Sequence, residues 1–237
     1  MNSLFLRAIE LNKPQKLNTF PFCLPIINNL DKLTFNKKVT FFVGENGSGK
    51  STLLEAIAIA MGFNPEGGSR NIHFCTHDSH SSLHEYIRPI RGASTPKDSY
   101  FLRSESFYNL SSAIDHFDVT HCYGGDSLHN KSHGEGLLAL FSDRLYGNGL
   151  YLLDEPECAL SPLGLFKLLR IIHELAEDNS QFIIATHSPI ILAYPNADIY
   201  EFKGSTITPI AYKDTEIYTL YQRFLNDDSF ITKILES

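Results

Sequence analysis

The sequence predicts an α/β fold with a mainly parallel core sheet, an antiparallel β subdomain and a helical insert. Three short runs, Val39 to Val43, Leu150 to Leu153 and Phe182 to Ala185, are apolar at every position. Strands buried on both faces, as in a parallel sheet, have this composition. The first run leads through a glycine-rich turn into Ser51 to Met61, where Leu53, Leu54, Ile57 and Met61 recur at helical spacing. Helix-start signals follow the other two: Ser161-Pro162, opening a helix to about Ala176, and Ser188-Pro189. Strand–helix–strand alternation predicts right-handed crossovers.

The flanks predict the other two parts. Ala197 to Phe202 and Thr206 to Tyr212 flank Gly204-Ser205 as a tight hairpin, with Pro209 placing its second strand at an edge. With Leu4 to Leu11 and the alternating stretch Ile72 to Arg91, they are expected to build the antiparallel subdomain. Residues from about 105 to 146 read as the helical insert around a polar loop, Asp115 to Lys131. Thr215 to Leu225 reads as an amphipathic helix whose Tyr218, Tyr221 and Phe224 pack on the core. The whole chain, 1–237, is expected to form one domain.

Composition narrows the function classes. The 237 residues carry a formal charge of −7 and are 43% hydrophobic and 20% charged. That excludes whole-chain disorder and argues against a basic coat for nucleic acid. No apolar run reaches the roughly 18 residues of a membrane span, so no membrane insertion is expected. Cys23, Cys75, Cys122 and Cys158 form no CxxC pair, which suits reduced thiols in a cytoplasm.

Two motifs carry chemistry. Gly44-Glu45-Asn46-Gly47-Ser48-Gly49-Lys50-Ser51 fits GxxxxGK[ST], and Thr52 continues it into the helix. Its glycines let backbone N–H groups converge on phosphate oxygens, and the following helix adds its positive end. Lys50 is expected to reach the β- and γ-phosphates of ATP, and Ser51 to complete Mg²⁺ coordination. The run Leu150 to Leu153 ends in Asp154-Glu155-Pro156. At the C-terminal end of a parallel strand both carboxylates lie where such sheets bind ligands. Asp154 is expected to hold Mg²⁺ through water, and Glu155 to act as general base.

With these residues in place, the chain resembles ABC-type ATPases. Asp154-Glu155-Pro156-Glu157 followed by Ala159-Leu160-Ser161 is similar to their Walker B and D-loop region, and Ala185-Thr186-His187-Ser188-Pro189 to their switch histidine. The resemblance implies a P-loop NTPase fold, ATP and Mg²⁺ as ligands, and His187 as a sensor of the γ-phosphate. Their LSGGQ signature corresponds to Lys131-Ser132-His133-Gly134-Glu135-Gly136, with Lys131, His133 and Glu135 departing from the pattern. Ser132 and Glu135 still form an S-x-x-E capping box, whose free N–H groups suit a phosphate, and Gly134 leaves room for its approach. A signature implies an ATP-sandwiched homodimer, with each Ser132 serving the partner's nucleotide. Glu105, in Tyr100 to Ser106, takes the place of the transporter glutamine.

The pattern FLRSES, SHGE, LLDEPE and THSP is most similar to small soluble ATPases of the SMC/RecF-like branch, across about residues 1 to 212. No coiled-coil arm is expected, because no heptads lie between Ser51 and Ser132. The expected activity is ATP hydrolysis that switches or moves a protein or nucleic-acid partner. An ATP-gated binding module and a transporter subunit remain alternatives. Asn130-Lys131-Ser132-His133 lacks the Asp of a guanine-reading element, which disfavours a GTPase. His73, Cys75, His77, Asp78, His80 and His84 fit no zinc spacing and read as a solvated loop. Arg88, Arg91, Lys97 and Arg103 read as scattered surface charge.

Overall fold

The computed structural model of the protein describes residues 4–13, 19–69, 81–103 and 132–236. The expected strand–helix–strand units form the core. Along the chain come β1 (Leu6–Leu11), α1 (Pro25–Asn28), β2 (Lys32–Thr34), β3 (Val39–Gly44), α2 (Lys50–Ala60), β4 (Gly68–Ser69), β5 (Ile87–Arg91) and β6 (Asp98–Arg103). Then follow α3 (His133–Arg144), β7 (Gly149–Asp154), α4 (Pro162–Glu177), β8 (Gln181–Ala185), α5 (Pro189–Leu192), β9 (Asp198–Lys203), β10 (Thr206–Pro209), α6 (Glu216–Asn226) and α7 (Phe230–Leu235).

A seven-stranded sheet has the order β10-β9-β3-β8-β7-β6-β4. Its five central strands pair in parallel, and β10 and β4 close the edges antiparallel. Alternation splits each central strand between two cores. Phe42, Leu150, Leu152, Ile183 and Ala185 face one side, where α2 and the small sheet β2-β1-β5 pack. Phe41, Val43, Tyr151, Leu153, Phe182 and Ile184 face the other, covered by α3, α4 and α5. Both faces being buried explains why the runs are apolar throughout.

Helix starts follow the side chains read from the sequence. Ser161 Oγ accepts the Gly164 N–H at 3.2 Å and Ser188 Oγ the Ile191 N–H at 3.4 Å, each ahead of a proline at the first helical position.

Two expectations need correction. The hairpin β9–β10 does not join the antiparallel subdomain; β9 pairs in parallel with β3, because Ile199, Tyr200 and Phe202 are core residues and Phe202 packs on Phe42. The three-residue strand β2 takes the hairpin's expected place beside β1, at the edge opposite β5. On α6, Tyr221 and Phe224 remain 45% and 47% exposed, so that stripe is not core. Within the 105–146 insert, α3 is helical as expected, and residues 104–131 lie outside the described set.

One buried polar residue ties the small sheet to the large one. Gln181 on β8 accepts the N–H groups of Phe5 and Leu6 at 2.9 Å each and donates to the Leu6 carbonyl at 2.8 Å. Gln181→Leu removes the acceptor of two buried donors, each costing about 1–3 kcal/mol when unpaired. We expect an overall loss of about 2–4 kcal/mol, read as a lower urea midpoint with an unchanged slope.

Candidate functional site

The site forms where β3, β7 and β8 end side by side. Phe42 pairs with Ala185, and Asp154 pairs with Ala185 from the other flank, so all three lie in one row of the sheet. The loops that leave this row carry the predicted residues.

From β3 the chain enters the glycine loop. Gly44, Gly47 and Gly49 take φ values of +146°, +77° and +96°. At Gly44 a side chain is also excluded by contact, because a Cβ would lie 2.4 Å from the Phe202 carbonyl oxygen. Glu45, Asn46 and Gly47 are exposed, and Gly49 precedes α2, on whose first turn lie Lys50, Ser51 and Thr52. Lys50 curls back, donating from Nζ to the carbonyls of Gly44 and Glu45 at 2.9 and 2.8 Å. Burial pulls its ammonium below the ordinary lysine value, against the attraction of Glu155, Asp154 and Glu157. The loop borders a hollow of about 370 Å³ whose far wall includes Glu201, Lys203 and Glu216. No motif marks these last three residues, so sequence reasoning missed them.

From β7 come the carboxylates. Ser51 Oγ donates to Asp154 Oδ1 at 3.0 Å, joining the two oxygens expected to share a cation. Glu155 sits at φ +48°, a left-handed conformation rare outside glycine, while its N–H donates to the Ala185 carbonyl at 2.9 Å. Its Oε1 lies 3.8 Å from His187 Nε2, at the end of β8. His187 is pulled below the ordinary histidine pKa of 6.5, first by burial and then by Lys50. Its Nε2 and Ser48 Oγ are buried without a hydrogen-bond partner among the described residues.

Sequence reasoning gave Glu157 no role, yet it is central. Its Oε1 accepts the Thr186 hydroxyl at 2.7 Å and the His187 N–H, while burial pushes its pKa up. The Cys158 thiol donates to Glu155 Oε2 at 3.3 Å. Ser132 caps α3 with both halves of the capping box: Glu135 N–H donates to Ser132 Oγ at 3.4 Å, and Ser132 N–H to Glu135 Oε2 at 3.0 Å. Gly134 has a use inside its own chain, since a Cβ there would lie 2.5 Å from the Ala159 carbonyl. The start of α3 therefore seats on the turn after Glu155.

Glu105 and His73 to His80 lie outside the described residues. His84 Nδ1 is 2.9 Å from the Ser81 carbonyl. Arg88 pairs with Glu10 and Arg103 with buried Glu55, so they form no basic face.

Comparison with known proteins bears on the fold. Residues 19–109 match an AAA domain family, and residues 136–193 match a second AAA domain family whose description also names the AbiEii toxin of type IV TA systems. A Methanothermobacter marburgensis protein named as an ABC transporter ATP-binding protein is 35% identical over 72 residues. That match takes in 30% of this chain and spans about a quarter (24%) of the relative's length. An ATP-binding cassette of an ABC transporter in its ADP conformation superposes with a TM-score of 0.50 at 17% identity, covering 99% of both chains. The dimeric structure of a bacterial ABC transporter cassette gives 0.51 at 14% identity, covering 88% of this chain and 100% of that one. A protein described as a metal-chelate type ABC transporter gives 0.51 at 19%, covering 93% and 88%. At these identities the structural matches show the fold. The chain has the fold of ABC transporter ATP-binding cassettes.

In this fold the glycine loop, the Asp154–Glu155 pair and His187 occupy one cluster, and the start of α3 abuts the turn through Ala159. Among the described residues no helix is long and apolar enough to cross a membrane.

Two predictions test the electrostatics. Because His187 binds its proton less readily when folded, its contribution to stability is present above about pH 6.5 and lost as the pH falls. Its imidazole should titrate below 6.5, read from the Cε1 proton shift. The Cys158 thiol, pushed up to about 12 by burial and by Glu155, should be unreactive despite its exposure. At pH 8 iodoacetamide should alkylate it about 1,000-fold more slowly than an unperturbed thiol, and faster after Glu155→Gln.

Proposed function

We propose that this chain binds ATP and hydrolyses it to ADP and phosphate, with Glu155 as general base. The observation that carries the reading is the convergence of Glu155, His187, Lys50 and the Ser51–Asp154 pair at the ends of three adjacent strands. The Gly44–Thr52 loop cradles the triphosphate, Lys50 turning from its loop carbonyls to the β- and γ-oxygens. Glu155 takes the proton of the attacking water as the bond from the γ-phosphorus to the bridging oxygen breaks. His187, neutral at pH 7, presents Nε2 to the γ-phosphate and orients the same water.

The oxygens of Ser51 and Asp154, 3.0 Å apart, suit a hard divalent cation such as Mg²⁺. Bound there, Mg²⁺ would offset charge on the β- and γ-oxygens.

The working unit in this reading is a homodimer closed by two ATP molecules, with Ser132 and Gly134 of one copy on the partner's γ-phosphate. The exposed, doubly capped start of α3 supports that role. Closure and opening switch a cytoplasmic protein or nucleic-acid partner, as in the SMC/RecF-like branch. Glu105 is proposed as the residue that relays closure to the insert. A second reading, the ATPase subunit of a transporter, is favoured by the name of the Methanothermobacter relative. Co-purification with a membrane protein separates it from the first.

Replacing Glu155 with Gln tests the reading. Loss of a general base lowers turnover about 10²- to 10⁴-fold. ATP binding should persist, and the variant should accumulate as a dimer in light scattering with ATP and Mg²⁺. Wild-type turnover per subunit should rise with protein concentration. Equal turnover of variant and wild type would instead support an ATP-gated binding module.

A further inference from the structure

We infer that Glu157 is the positioning residue that fixes the switch histidine against the general base, an inference resting on the hydrolytic reading above. Glu157 lies on the turn after β7, but its carboxylate works on the end of β8. A single oxygen, Oε1, accepts both the Thr186 hydroxyl and the His187 N–H. The Thr186 hydroxyl in turn accepts the Ser188 N–H at 3.0 Å, and Ser188 Oγ caps α5. Thr186, His187 and Ser188 are thus held in one hydrogen-bonded series that begins at Glu157.

That series sets where the imidazole can sit. The only residue between Glu155 and Glu157 is Pro156, whose ring restricts the backbone. The two carboxylates therefore move together: one lies 3.8 Å from His187 Nε2, and the other grips the same residue by its backbone N–H. A stability role alone explains this poorly. The second oxygen of Glu157 is buried and has no hydrogen-bond partner among the described residues. A buried carboxylate using one oxygen of two costs more in desolvation than a neutral acceptor doing the same work. The turn continues into Ala159, against which the start of α3 seats, so movement of the signature helix reaches the switch histidine through Glu157.

The test uses the full chain with Glu157→Ala, Glu157→Gln, His187→Ala, the Glu157→Ala/His187→Ala double variant, and Thr186→Val. Glu157→Ala should lower kcat for ATP about 10- to 100-fold, the scale of a misplaced catalytic group, with KM within about threefold of wild type. Glu157→Gln keeps the Oε1 acceptor and should stay within about threefold of wild-type kcat. If Glu157 acts through His187, adding Glu157→Ala to His187→Ala should cost nothing further. Backbone amide exchange over residues 183–190, measured without nucleotide, should quicken in Glu157→Ala and not in Glu157→Gln. Should Glu157→Ala fail to fold, Thr186→Val, which removes one of the two donors, should show a smaller kcat loss and part of the faster exchange. Wild-type kcat in Glu157→Ala, additive losses in the double variant, or unchanged exchange would each overturn the inference. A wild type with no turnover would sink the hydrolytic reading instead, and the exchange measurement would still decide the clamp.

Discussion

The site depends on the parallel register of β3, β8 and β7. Phe42, Ala185 and Asp154 stand in one row, and three loops leave the sheet within two residues of it. A slip of one residue in any of these strands would exchange its two faces. It would turn Phe41, Leu153 or Ile184 toward the wrong core and carry the attached loop out of position. Every strand here is buried on both sides, so neither face tolerates the exchange. The hydrophobic cores thus hold Lys50, Glu155 and His187 together without those residues needing to attract one another.

Against that rigid background, locally unfavourable choices collect in the turn from Glu155 to Leu160. Glu155 occupies a left-handed backbone, a strain of about 1–3 kcal/mol for a non-glycine residue. Glu157 keeps a carboxylate in a place where burial raises its pKa. Successive residues of the turn touch different parts of the site: Glu155 the His187 ring, Glu157 the His187 backbone, Cys158 the Glu155 carboxylate and Ala159 the start of α3. A relaxed turn would not aim two carboxylates two positions apart along β7's exit at one histidine. Strain of this kind persists only where neighbouring packing overrules it, and the parallel sheet supplies that packing.

Much of this was legible in the sequence because its signals are local. Val39 to Val43 needs no partner to be read as a doubly buried strand, and Ser161-Pro162 and Ser188-Pro189 mark helix starts through side chains that cap their own helices. What the sequence hid are relations between distant segments. The hairpin β9–β10 was recognisable, but its place beside β3 follows from Phe202 packing on Phe42. Strand β2, only three residues long, carries too little alternation to announce itself. The spacing of Tyr218, Tyr221 and Phe224 defines a helix face; it cannot say whether another element covers that face. Glu157 is the instructive case. Its partners lie 29 and 30 residues away, and they meet it only because β7 and β8 are neighbours.

The charges around the glycine loop favour a cation as well as a nucleotide. Asp154, Glu155 and Glu157 outnumber Lys50, and His187 carries no compensating charge at pH 7 because burial and Lys50 hold its pKa down. A triphosphate brought to this loop meets favourable N–H dipoles and one ammonium, but also a wall of carboxylates. Two like charges about 4 Å apart repel by about 4 kcal/mol at an effective dielectric of about 20. A divalent ion held by Asp154 would offset that repulsion, and the Ser51 hydroxyl, 3.0 Å from Asp154, would offer it a neutral oxygen. Without such an ion, the same carboxylates would oppose occupation of the loop by a triphosphate.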